Sequence, residues 1–236
     1  MPRRPLVPAL ADENAAPGGV ATLDRALSIL AAFDAAHPVR SLAELAAHTR
    51  VAKATLLRLL ASLVHGRVLR RRDDGRWSLG PELARLGALH TASFDLADVV
   101  LPEMRSLSRR TRESVSFHVR QGRQRLVLFR VDSPQALRDH VRAGDVLPLN
   151  RGAGGRVLGA YAGARGAVYE QVRRQGHVLL SGDRVPGLSG VAAPVWKSGG
   201  ELVGALTLTA PDARMKPAFV DELRKAAARL TAALGG

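Results

Sequence analysis

Three groups of residues in this 236-residue chain are spaced so that they could do chemistry. The first runs through VAKATLLRLLASLVHG, Val51 to Gly66. Thr55, Arg58, Ser62 and His65 recur at i, i+3, i+7 and i+10, so a helix would carry them on one polar stripe. Lys53 stands just ahead of them and Leu57 beside them. Hydroxyls and a guanidinium in a row can read base edges in a major groove, and an apolar side chain can touch a thymine methyl. The second group is Arg70, Arg71, Arg72 and Arg76 around Asp73-Asp74-Gly75. It suits phosphates or a minor groove. The third is Gly152-Ala153-Gly154-Gly155, preceded by Asn150. Amides exposed at a helix N-terminus receive anions, and a permissive turn is the plainer reading. No Gly-Lys-Ser/Thr follows, so this is no Walker loop. Ser116 and His118 alternate with Val115, Phe117 and Val119. They therefore share one strand face, turned either to a pocket or to solvent.

These groups work only if helices and strands hold them. Leu56, Leu59, Leu60 and Leu63 fall at i, i+3, i+4 and i+7, which gives the Thr55 helix a core stripe opposite its polar one. Gly66 ends that helix as a residue tolerant of the left-handed C-cap. Upstream, Thr22 is expected as the N-cap of a first helix carrying Leu23, Ala26, Leu27, Leu30 and Phe33. Ser41 and Glu44 form a capping box that starts a second. Ser41 also joins the residues expected to touch DNA. Val68–Arg72 and Arg76–Leu79 read as a two-stranded hairpin. Three helices and a basic hairpin, in that order, make a winged helix-turn-helix.

Residues 81–95 read as a linker helix opened by Pro81, and Leu96 to Thr111 as a further helix. From Ser114 the period becomes two. SVSFHVR and RLVLFRV form a hairpin, with HVLLS, GVAAPVW and ELVGALTLTA as later strands. Lys216 to Leu234 is a closing amphipathic helix. The expected domains are a flexible tail over 1–19, the winged helix over 20–80, the linker, and an α+β domain over 96–236.

Composition sets outer bounds. Net charge is +14, but residues 1–80 hold 12 basic and 7 acidic side chains and the rest hold 23 and 14, so the excess is spread rather than focused. Cysteine is absent, which removes disulfides, thiol catalysis and Cys-bound zinc. No stretch approaches the roughly 18 apolar residues of a membrane span. No nucleophile elbow, metal box or cofactor fingerprint is present. The chain therefore reads as a non-enzyme with no catalytic residue, metal or cofactor, working in the cytoplasm at the nucleoid.

The ordered string TLDRALSIL, SLAELA, VAKATLLRLLASL and DDGRWSLGPELARLG resembles the amino-terminal half of IclR-type transcriptional regulators. AGDVLPLNRGAGGRVLGAY and VPGLSGVAAPVWKSGGELVGALTL look like the family's effector-binding half. The resemblance runs from about Val20 to the C-terminus. It implies a GAF-like ligand domain, a homodimer that can pair into a tetramer, a palindromic double-stranded operator and a small organic acid as effector. It places Asp183, Ser189 and Val191, which flank the VPGLSG loop, at the mouth of the pocket, where Ser116, His118, Asn150, Ala153, Gly154 and Gly155 are the other residues expected around the ligand, and repression of a catabolic or metabolic operon is the expected role. A DNA-binding regulator without an effector is the alternative. Three departures stand out. Arg50 takes the place of the usual turn glycine, Ala54 replaces a serine, and the 161–177 segment is short.

Overall fold

Leu56, Leu59 and Leu60 lie buried in the computed structural model, which describes residues 8–13, 15–34, 36–92 and 96–235. The chain divides into two units after Ser93. The first holds α1 (Leu10–Glu13), α2 (Ala21–Leu30), β1 (Val39–Arg40), α3 (Leu42–Thr49), α4 (Lys53–His65), β2 (Leu69–Arg71), β3 (Trp77–Leu79) and α5 (Pro81–Ala92). The leucines of α4 pack with Ile29, Ala32, Leu45, Leu69 and Trp77 into one core. Each fully buried leucine contributes about 1.5–3 kcal/mol. Ser41 caps α3: Glu44 N donates to its Oγ at 3.3 Å, and Ser41 N donates to the Glu44 carboxylate at 2.7 Å.

Several expectations need correction here. Residues 1–7 and 14 of the expected tail lie outside the described residues, but α1 lies inside that tail. Its Ala11 and the preceding Ala9 are buried, and Arg25 binds Asp12 at 2.7 Å. Val20, not Thr22, is the N-cap of α2. Leu23 and Leu27 are exposed, because α2 turns Ala26, Ile29 and Leu30 to the core and these two leucines lie beside that stripe. The wing has three strands in the order β1-β3-β2, since Val39 and Arg40 pair with Ser78 and Trp77. Gly66 is the C-cap of α4 with φ −74°, and the left-handed residue is Arg67 with φ 56°. Val68 N then donates to Leu63 O and Arg67 N to Val64 O, both at 2.9 Å, the two bonds of a Schellman cap. Arg50 is also left-handed, with φ 56°, so the helix turn keeps the geometry a glycine would supply at lower cost. The expected linker helix is α5; residues 93–95 lie outside the described residues.

The second unit holds α6 (Leu96–Thr111), β4 (Ser114–Gln121), β5 (Gln124–Val131), β6 (Val146–Pro148), α7 (Ala153–Tyr161), α8 (Ala167–Gln175), β7 (Val178–Ser181), β8 (Leu188–Trp196), β9 (Leu202–Pro211) and α9 (Pro217–Leu234). Its six strands are ordered β6-β5-β4-β9-β8-β7, with every neighbouring pair antiparallel. Helices cover both faces. Val100, Met104 and Leu107 of α6 and Leu223, Ala226 and Leu230 of α9 pack with Val115, Phe117 and Leu206. Val157 and Leu158 of α7 and Tyr169 and Val172 of α8 pack with Ala192 and Ala205. This is the α+β, GAF-like architecture expected. Helix α8 had no counterpart in the sequence reading. Its boundaries are two glycines, Gly166 and Gly176, both at positive φ.

Gly80 joins the wing to α5. Its N–H donates to Val68 O at 2.8 Å, and a Cβ there would collide with the backbone carbonyl of Arg67. Since backbone cannot yield as a side chain can, Gly80→Ala should destabilise the first unit by about 2–4 kcal/mol, read as an earlier thermal transition.

Candidate nucleic-acid interface and ligand site

Helix α4 exposes Lys53, Thr55, Leu57, Arg58 and Ser62 along the side away from its buried leucines. Leu57 is 47% exposed and lies on this outward side. Ser62 donates its hydroxyl to Arg58 O at 3.3 Å, leaving its oxygen lone pairs as acceptors. Ser41 differs from these. Its hydroxyl donates to Glu44 at 2.7 Å while accepting from Glu44 N, so its first duty is to cap α3. On the wing, Arg70 Nε donates to Ser78 Oγ at 3.0 Å and Arg71 lies over the Trp77 ring at 5.6 Å. Arg76 and Arg72 meet Asp74 at 2.8 and 3.6 Å. Arg76 holds the Asp74 carboxyl below its ordinary range. The wing tip is thus partly self-neutralised. These ion pairs are exposed and contribute little to stability, so a phosphate can displace Asp74 at small cost.

The ligand candidates divide. Gly154 abuts both His118 and Thr207: a Cβ on Gly154 would collide with the imidazole Nδ1 and the threonine Oγ1. The first turn of α7 therefore rests on the polar side of β4 and β9. His118 and Ser116 are both buried, which rules out plain solvent exposure. Ser116 Oγ accepts from Arg130 Nη1 at 2.9 Å. Ala153 is buried against this turn. Asp183 accepts from Gly152 N at 2.5 Å, and Arg156 binds the same carboxylate at 2.8 Å. Ser189 donates to Asp212 at 2.6 Å. Gly152, Asp183, Arg184 and Ser189 line a space of about 30 Å3.

Two candidates fall elsewhere. Val191 lies in the core beneath α6 and α9, because β8 is covered on both faces and its alternation sends Val191 to the other side. Asn150 is exposed and lines a separate surface depression with Arg123, Leu149 and Tyr169.

Residues absent from the sequence reading complete the site. Arg125 is buried beside Gly155, where a Cβ would collide with its Nη1. Nη1 donates to the carbonyls of Arg151 and, at 3.0 Å, Pro148. Arg184 binds Asp139 at 2.7 Å, and Arg130 lies 3.8 Å from the same aspartate. Arg125 was legible in principle. In QRLVLFRV it falls in phase with the buried Val127, before a bulge in the β4–β5 pairing leaves Phe129 in the core under α6 and α9. Asp139 and Arg184 come from loops and carry no such signal.

Burial, reinforced by Arg125, Arg130 and Arg184, pushes the His118 pKa well below 6.5. The folded protein holds this imidazole neutral, while the unfolded chain protonates it below about pH 6.5. Protons then favour unfolding, so stability is lost as pH falls from 6.5 toward the folded pKa. Melting temperature should drop between pH 7 and 5, with a slope of up to about 1.4 kcal/mol per pH unit from this group. His118→Asn should flatten that slope by the same amount.

Both halves match known proteins. Residues 22–73 match the IclR helix-turn-helix domain and residues 88–169 the bacterial transcriptional regulator IclR C-terminal domain. The HTH-type transcriptional regulator XynR of Escherichia coli K12 is 26% identical, over 92% of this chain and 98% of its own length. A Rhodococcus IclR-family putative regulator of known structure is 32% identical, with 98% of each chain covered and a TM-score of 0.55. An IclR homologue from Microbacterium hydrocarbonoxydans, solved with 4-hydroxybenzoate, superposes with a TM-score of 0.80 at 23% identity, covering 90% of this chain and 98% of that one. With a winged helix, a helix-covered six-stranded sheet and matches in both halves, the chain belongs to the IclR family of DNA-binding transcriptional regulators.

Proposed function

We propose that this regulator is a repressor of a catabolic or metabolic operon, that a homodimer reads a palindromic operator, and that a small organic acid at the start of α7 changes its grip on DNA. The observation that carries the DNA reading is the two-sidedness of α4. Its leucines are locked in the core while Lys53, Thr55 and Arg58 face outward. Arg71, Arg72 and Arg76 flank the duplex as phosphate contacts. A palindrome needs two copies, and the exposed row Val20, Leu23 and Leu27 on and before α2 offers apolar surface for a second copy, or for pairing of dimers. Such a protein works at the nucleoid in the cytoplasm. The organic-acid part draws on the Microbacterium homologue, whose 4-hydroxybenzoate is an aromatic monocarboxylate. A second reading, regulation without an effector, is favoured by the space beside Asp183 and Ser189, about 30 Å3, which admits little more than water.

A duplex selected by the protein from random sequence supplies the test. Arg58→Ala should weaken it by roughly 10–150-fold in a mobility shift, and log affinity should fall linearly with log salt. An Arg58→Ala protein that bound as wild type would remove α4 from the interface. Stabilisation by 4-hydroxybenzoate of at least a few degrees supports the effector. No shift with any small carboxylate leaves the effector-free regulator.

A further inference from the structure

The positive ends of the second unit converge on one spot. Four guanidiniums, Arg125, Arg130, Arg156 and Arg184, surround the first turn of α7. Three carboxylates answer them: Asp183 on Arg156, Asp139 on Arg184 and Arg130, and Asp132 on Arg130. Arg125 is the one with no ion pair of its own among the described residues, since Asp139 and Asp183 act on it only from a distance. It is 2% exposed, its hydrogen-bond partners among the described residues are two backbone carbonyls, and its buried Nε has none there. Helix α7 adds to the excess, since its N-terminus carries partial positive charge and points to the same place. Gly152 and Gly155 let the guanidinium lie directly against that turn. Beside it, His118 is 4% exposed and its Nε2 is likewise buried without a partner.

A buried charge without a counter-ion in direct contact is destabilising, and so is a buried polar atom without a hydrogen bond. Two such groups at adjacent glycines of one helix turn share a single remedy. The geometry points to Arg125 as the receptor for the ligand's carboxylate, with His118 bonding an uncharged polar group of the same molecule. This rests on the effector reading above and narrows it to a monocarboxylate with a hydroxyl or similar neutral substituent. One negative charge completes the set; a dicarboxylate would bring a second without a partner. A ligand lacking the carboxylate would leave Arg125 as it is. Arg125 is accordingly a specificity-determining residue that holds the ligand-free domain below the stability it could reach.

That last property separates a ligand receptor from a structural arginine. The full-length protein is melted alone and with propionate, lactate, benzoate and 4-hydroxybenzoate, each beside its uncharged amide, and with phthalate. The acids with a hydroxyl should stabilise most, the amides and phthalate little. Arg125→Met should melt above wild type when ligand-free and bind the acids roughly 10–150-fold more weakly, the usual range for losing a charge-assisted contact. Arg125→Lys should keep part of the response. An Arg125→Met protein that melts below wild type, or that binds acids as wild type does, overturns the assignment. Wild-type protein indifferent to every acid overturns the effector reading, and the assignment with it.

Discussion

One helix cannot bury both of its sides in a domain this small, and the first unit is organised around that limit. The leucines of α4 claim the core they share with Ile29, Leu45 and Trp77. Everything polar on the helix is thereby turned out as a fixed row. The wing strands share the same core through Leu69 and Trp77, so wing and helix are held to one frame. Rigid mounting matters more here than the identity of any one side chain. Base contacts discriminate only if their donors arrive at the groove already placed.

The second unit faces the opposite problem, because its sheet is covered on both sides. β4 is buried from Ser114 to His118, with Val115 and Phe117 under α6 and α9 and with Ser116 and His118 toward α7. A strand with two covered faces would ordinarily be apolar throughout. Here one face carries hydroxyls and an imidazole, and β5 adds a buried guanidinium. Small residues at the start of α7 let the helix come down onto those groups. The polar interior follows directly from glycine at 154 and 155.

The sequence disclosed the parts governed by local rules. The leucine period of α4, the Ser41–Glu44 box and the Asp73-Asp74-Gly75 turn each determine their own neighbourhood. Elements fixed by tertiary contact stayed hidden. β1 has two residues and exists because β3 has a free edge. Helix α8, AVYEQVRRQ, shows few apolar residues and is held by Tyr169 and Val172 against α7. The site was read through its glycines, its strand face and Asp183, while its arginines and Asp139 were missed. Alternation says that two residues share a side; it does not say which layer covers that side. Val191 packs under α6 and α9 for this reason, and Asn150 lines a different depression from Asp183 and Ser189.

A sensor must keep its ligand-free state slightly uncomfortable. A ligand shifts an equilibrium only by the difference in its affinity for two states, and that difference is largest where the empty state lacks something the ligand supplies. If Arg125 receives the ligand, the missing thing in this domain is a negative charge in direct contact with its guanidinium. Asp183 sits within reach of the α7 amides yet is committed to Arg156, and Asp139 is shared between Arg130 and Arg184. The carboxylates present are therefore tied to other arginines. The ion pairs that order the loops also keep them from satisfying Arg125, so the same network that builds the pocket reserves its last charge for something from outside.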